Sequence, residues 1–319
     1  MLTLFANAKI NLYLEIIGNR PDGYHELVMV MQSVDLADRV TLKPLNTPTI
    51  RINCDHPQVP TDSTNLAYKA VALVQKRFPN RTNQRGGMEI TIDKNIPVGA
   101  GLAGGSANAA AVLFGLNMLW DLGLTRIGLQ ALSAELGSDI PFCLAGGCAI
   151  ATGRGENIDT LRKSPTLFAV LAKYESTSVS TPWAYKTYRS EFGHTYKDLS
   201  GPVSLEDRRS RIHAGKMIEA VSAQNAVKVG NQLHNDLEKV VLPANPKVTE
   251  LKSTMANIAK GHGGLGTMMS GSGPTVFTLT DSLVQAGTIQ REVRSHYNDP
   301  DLKVYVAPFT AHGIVVKPV

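Results

Sequence analysis

Ile96-Pro97-Val98-Gly99-Ala100-Gly101-Leu102-Ala103-Gly104-Gly105-Ser106-Ala107-Asn108-Ala109-Ala110 is the stretch on which the fold of this chain turns. Before it, Met88, Ile90 and Ile92 alternate on one face of a strand. After it, Ala107, Ala110, Ala111, Phe114 and Met118 mark the expected buried face of a helix. Glycines let a backbone take positive φ and approach a ligand closely. A helix N-terminus offers free N–H groups and the positive end of the macrodipole. A packed glycine turn is the plainer alternative. Four glycines and a serine between strand and helix favour a phosphate cradle.

Gly99-Ala100-Gly101-Leu102-Ala103-Gly104 also satisfies the dinucleotide pattern G-x-G-x-x-G. Context argues against it. Asp121 would be the ribose acid, yet it follows Trp120 at the end of the helix, with no strand between. Neither a Walker A run nor the protein-kinase motifs occur. A second cluster, Gly261-His262-Gly263-Gly264-Leu265-Gly266 and Ser270-Gly271-Ser272-Gly273-Pro274, precedes an expected strand at 275–280. Two such loops from different domains would most naturally face one cleft.

The 319 residues are 43% apolar and 18% charged, enough for a sizeable core and too apolar for wholesale disorder. The length is a prior for two domains. A net charge of +5, scattered along the chain, favours anionic small molecules and does not imply nucleic acid. Cys54, Cys143 and Cys148 are too few for a disulfide framework and lack zinc spacing, which fits reduced thiols in a cytoplasmic protein. No apolar run approaches the ~18 residues that span a membrane, and the start lacks the look of a signal or transit peptide.

Strands are expected at 2–17, 39–43, 49–53, 88–93, 148–152, 167–172, 275–280, 303–307 and 313–316. Helices are expected around 66–78, with Thr64 or Ser63 as N-cap, and at 125–136, 214–229, 231–241 and 246–260. The polar stretch 191–211 reads as a loop. A join near 153–163 divides the chain into two parts, 1–158 and 159–319. Strands and helices mix without strict alternation, so the fold class is α+β.

Two polar residues stand out. Lys9 lies in the β-like run Ala6-Asn7-Ala8-Lys9-Ile10-Asn11-Leu12 and is either an outward edge residue or points into a cleft. Asp139, in Gly137-Ser138-Asp139-Ile140-Pro141-Phe142, is either a helix cap or a catalytic acid.

With these residues and the two glycine loops, the chain resembles the galactokinase, homoserine kinase, mevalonate kinase and phosphomevalonate kinase superfamily along nearly its whole length. Ala8–Leu14, Arg20-Pro21-Asp22-Gly23-Tyr24-His25-Glu26-Leu27 and Asn235-Asp236-Leu237-Glu238 are most similar to the branch acting on a cytidine diphosphate-linked methylerythritol of the non-mevalonate isoprenoid route. The resemblance implies a two-domain α+β kinase that transfers the γ-phosphate of ATP, with Mg²⁺, to the acceptor's 2-hydroxyl. It implies that Asp139 takes or orients the hydroxyl proton and that Lys9 keeps Asp139 ionised. It implies ATP contacts from Pro97, Val98, Gly99, Ala100, Gly101, Leu102, Ala103, Gly104, Gly105, Ser106 and Ala107, with loop support from Gly271, Ser272 and Gly273. Tyr24, His25 and Tyr185 match the cytidine-facing positions, Asn11 and Thr181 the rest of the acceptor site. Ala103 and Ala107-Asn108 depart from the common loop pattern, which leaves Ser106 as the hydroxyl for a metal contact. No nucleic acid or membrane partner is implied, and the expected state is a monomer or weak homodimer. The rivals are another kinase of the superfamily, such as homoserine kinase, and a nucleotide-binding module without turnover.

Overall fold

The computed structural model describes residues 1–82, 86–196 and 213–316. Two long strands, β1 (Leu2–Asn19) and β2 (His25–Leu45), form an antiparallel hairpin closed by a turn at residues 20–24. β2 is much longer than the strand expected at 39–43, because its two halves take different partners. Residues 39–45 pair with β4 (Gly87–Asp93), and residues 27–32 pair with β5 (Cys148–Gly153). β3 (Ile50–Cys54), β6 (Asn157–Leu161), the two-residue β8 (His234–Asn235) and β12 (Ile314–Val316) complete this sheet. The join expected at 158/159 falls inside β6, and β12 returns to pair with β1. A second, antiparallel sheet has the order β11 (Leu302–Pro308), β7 (Phe168–Tyr174), β10 (Val276–Thr280), β9 (Gly266–Met269).

Helix α1 (Leu66–Arg77) starts at Asn65, not Thr64 or Ser63, because the Asn65 side chain accepts from the Ala67 N–H at 2.8 Å. Helix α2 (Gly104–Leu119) is buried from Ala107 through Leu113, on all sides, since it is sandwiched between the first sheet and neighbouring helices. Met118, expected inside, is exposed. α3 (Arg126–Ser133) and a short α4 (Ile140–Ala145) follow. α5 (Thr181–Phe192) occupies sequence with no anticipated element, and a 3₁₀ turn at Gly193–Thr195 follows it. The loop expected at 191–211 thus begins as helix end and turn, and its residues 197–211 lie outside the described ones.

The helix expected at 214–229 is two, α6 (Gly215–Ser222) and α7 (Ala226–Asn231), broken where Gln224 takes positive φ. The stretch 231–241 holds β8 and the start of α8 (Glu238–Ala244). α9 (Pro246–Lys260) and α10 (Leu283–Tyr297) cover the second sheet with Leu251, Met255, Ile289 and Val293. The sheets are mostly antiparallel and Asp121 sits in a left-handed turn after α2, so the dinucleotide fold is absent among the described residues.

Candidate active site

β1 pairs with β2 along its length, and its other edge is covered by β12 at residues 4–6, by the Leu102 carbonyl at Lys9 and by β8 at residues 13–14, so Lys9 is no open-edge residue. It is 4% exposed, and a buried ammonium must find acceptors. Its Nζ donates to Asn11 Oδ1 at 2.7 Å and lies 3.7 Å from Asp139 Oδ2. Lys9 and Asn11 are two apart on a strand and share a face. Asp139 occupies the N-cap position of α4, yet its side chain makes no cap hydrogen bond. Its carboxylate faces Lys9 instead; both side chains line the cavity, the carboxylate 32% exposed and the lysine 5%. The arrangement leaves a carboxylate backed by a cation, with free oxygen lone pairs toward the cavity.

In the glycine loop, Gly99, Gly101 and Ala103 have φ of 60°, 72° and 58°. Ala103 is the N-cap of α2 and provides no side-chain cap, so among the described residues the N–H groups of Gly104, Gly105 and Ser106 have no partner. The Ala107 N–H is already spent on Ala103 O at 2.8 Å. Ala107 and Leu102 are buried and lie off the cavity wall, whereas the other loop residues from Pro97 to Ser106 line it. The Leu102 carbonyl accepts from the Lys9 N–H at 3.1 Å, tying strand to loop. Below the loop, Lys94 and Asp38 form a buried pair at 2.7 Å, and Lys94 also donates to Ile96 O.

The second glycine loop closes on the first. Ser270 Oγ donates to Gly101 O at 3.1 Å, and Asn235 Nδ2 holds Met269 O and Gly271 O, each at 2.8 Å. A Cβ on Gly101 would lie 2.3 Å from Ser270 O, so only glycine permits this approach. Thr181, at the start of α5, hydrogen-bonds Ser272 through the two hydroxyls at 2.7 Å.

Tyr24, His25 and Tyr185 form the far wall. The His25 and Tyr185 rings are 5.1 Å apart and tilted by 32°, while Tyr24 stands exposed with the Arg154 guanidinium 5.3 Å from its ring centre. Burial, then the Arg189 charge, pushes His25 down to about 4, so its imidazole is neutral. Burial, then the Asp139 charge, raises the Tyr185 phenol.

One cavity of about 950 Å³ joins both glycine loops, Lys9, Asn11, Asp139, Tyr24, His25, Thr181 and Tyr185. It also takes in Asn65, Lys94, Asn108, Arg154, Lys186 and Arg189, which sequence reasoning missed. Asn108 alone carried a signal, its place in the loop motif. Its Oδ1 is buried without a partner among the described residues. The uncapped amides of Gly104, Gly105 and Ser106 are donors that the anionic oxygens of a phosphate would satisfy. Among the described residues no three His, Cys, Asp or Glu side chains cluster as metal ligands.

Residues 65–147 match the model of the GHMP kinases N terminal domain and 217–299 that of the GHMP kinases C terminal. The 4-diphosphocytidyl-2-C-methyl-D-erythritol kinase of Gloeothece citriformis is 56% identical over 315 residues, 99% of this chain and 98% of that protein. A crystal structure of 4-(cytidine 5'-diphospho)-2C-methyl-D-erythritol kinase aligns at 28% identity with a TM-score of 0.74, covering 97% of this chain and 99% of that one. Homoserine kinase from Cytophaga hutchinsonii reaches a TM-score of 0.73 at 19% identity, over 99% of this chain and 97% of that one. Backbone shape is therefore shared by kinases with different acceptors.

Proposed function

The chain belongs to the 4-diphosphocytidyl-2-C-methyl-D-erythritol kinases within the GHMP kinases, and on that premise we propose how its site phosphorylates the 2-hydroxyl of that cytidine-linked alcohol with ATP. The observation that carries the reading is the buried Lys9 against Asp139 on the wall of the cavity that both glycine loops line.

The N–H groups of Gly104, Gly105 and Ser106, at the positive end of α2, bind the terminal phosphates of ATP. Gly271, Ser272 and Gly273 close the cradle from the other side. Tyr24 and Tyr185 flank the cytosine, with His25 at its polar edge. Asn11 and Thr181 hold the methylerythritol part near Asp139. Asp139 accepts the 2-hydroxyl proton as that oxygen bonds to the γ-phosphorus and the bond from the γ-phosphorus to the β-bridging oxygen breaks. Lys9, 3.7 Å from Asp139, orients its carboxylate and offsets the charge that develops on the transferring group. Mg²⁺ would ride on the nucleotide's own phosphates and neutralise them, with Ser106 as the protein's hydroxyl ligand. The sparse protein donor set suits an ion that keeps its waters and phosphate ligands.

In this reading residues 1–158 hold ATP, and 159–319 complete the acceptor site through Thr181 and Tyr185. No described helix is long and apolar enough to cross a membrane, and the three cysteines are unpaired. We place the enzyme in the cytoplasm as a monomer or weak homodimer.

A coupled assay of ATP consumption with three acceptors tests the substrate: the cytidine-linked diphosphate alcohol, homoserine and mevalonate. Turnover should require the first. Equal or faster turnover of either other alcohol would overturn the acceptor, and no turnover with any would leave a binding module.

A further inference from the structure

The mechanism gives His25 a place beside the base but leaves open what its ring offers there. His25 opens β2, is 6% exposed, and is wedged between Tyr185 and the edge of Tyr196, 5.9 Å away. Arg189 reaches it from α5. The Arg189 Nε donates to His25 Nε2 at 3.4 Å, and an Nη donates to Gly23 O at 2.7 Å. A guanidinium has only donors and does not lose its proton. His25 Nε2 must therefore act as an acceptor, and in a neutral ring the single proton then sits on Nδ1.

We propose that Arg189 is a positioning residue that locks His25 in its Nδ1–H tautomer and thereby sets the choice of base in favour of cytosine over uracil. The inference rests on the cytidine reading of the cavity above. Cytosine presents acceptors at N3 and O2. Uracil carries a hydrogen on N3, so a ring limited to a donor meets a donor there. Freed from Arg189, the imidazole can exchange tautomers and offer an acceptor as readily as a donor. The low proton affinity of His25 closes the remaining escape, protonation of both nitrogens.

The same guanidinium sets the geometry of the wall. Arg189 lies four and eight residues after Tyr185 and Thr181, on one side of α5. Its bond to Gly23 O ties that side of the helix to the turn that carries Tyr24 and His25. A lysine could replace the charge but not the fork that serves the ring and the carbonyl together.

The test uses the full-length enzyme in three forms, wild type, Arg189→Lys and Arg189→Gln. Nitrogen-15 NMR reads the His25 tautomer, assigned by loss of its signals in His25→Gln. Kinetics compare the cytidine-linked substrate with its uridine-linked counterpart. Wild type should show Nδ1–H, and the variants a mixture of tautomers. The cytidine-to-uridine ratio of kcat/KM should fall about tenfold or more in the variants, with the change in KM rather than kcat. An Nε2–H tautomer or a doubly protonated His25 in wild type at pH 7 overturns the proposal without any variant having to fold. A preserved tautomer or an unchanged ratio in folded variants overturns it too. If the acceptor reading itself fails, wild type turns over homoserine or mevalonate instead, while the NMR experiment still decides the tautomer.

Discussion

Replacing Gly101 by alanine tests whether the two glycine loops hold the phosphate cradle by direct contact. The new Cβ would lie 2.3 Å from Ser270 O and 3.0 Å from the Gly273 N–H nitrogen, both backbone atoms that cannot swing aside. Ordinary contact begins near 3.4 Å, so the loops must part by about 1 Å. Residue 101 also has a φ of 72°, which costs a side chain about 1–2 kcal/mol. Gly99→Ala separates the two effects. It carries the same kind of backbone cost at a φ of 60°, but its Cβ would meet nothing closer than Ser178 Cβ at 3.6 Å. A displacement of about 1 Å in a reacting geometry can cost about 100-fold. Steady-state kinetics with varied ATP should therefore show kcat/KM down about 100-fold in Gly101→Ala and less than about tenfold in Gly99→Ala. Thermal unfolding should fall in both, more in Gly101→Ala. Equal kinetic losses in the two variants would show that loop-on-loop packing does not set the cradle, and the reasoning would fail.

Asp139→Asn should keep substrate KM and lower kcat by about two to four orders of magnitude, as for a positioned acid–base group; a loss under about tenfold would reduce it to its helix-cap position. Lys94→Met strips the cation from the fully buried Asp38 and should destabilise the fold by about 3–5 kcal/mol in denaturant titrations. A loss below about 1 kcal/mol would mean that the pair does not brace the loop. Acid should weaken the fold in two stages, because the unfolded chain binds protons that the folded one does not. His25, lowered from 6.5 to about 4, loses its contribution as pH falls through that window. Burial raises Asp236, but hydrogen bonds from His234, Lys239 and the Ile16 N–H outweigh it and hold its carboxyl at about 2, so its contribution goes between pH 3.8 and 2. Between pH 7 and 5, wild type should lose about 2 kcal/mol more than His25→Gln, and equal losses would refute the shift.

The two glycine loops were legible because Gly99, Gly101, Gly271 and Gly273 take positive φ, a local backbone conformation that glycine meets at least cost. Lys9 and Asp139 were legible only as alternatives. Neither residue's neighbours reveal that β1 is covered on both edges or that the Asp139 side chain leaves its cap position unused. The helix α10 carried a readable stripe at Ala286, Ile289 and Val293, yet polar residues between them masked it. Arg154 and Arg189 read as ordinary polar residues, since their partners Tyr24, His25 and Gly23 lie more than a hundred positions away.

By itself the sequence determined many of the strands and helices, the α+β mixture and a glycine-rich loop leading into a helix, because periodicity and glycine chemistry act within a few residues. The tertiary structure alone decided that residues 9, 11, 139, 185 and 271 share one cavity, that β2 divides its length between two partners, and that Arg189 reaches His25. Those are pairings across long loops, and their closure depends on which apolar faces bury together. Short-range preferences carry no information about that choice.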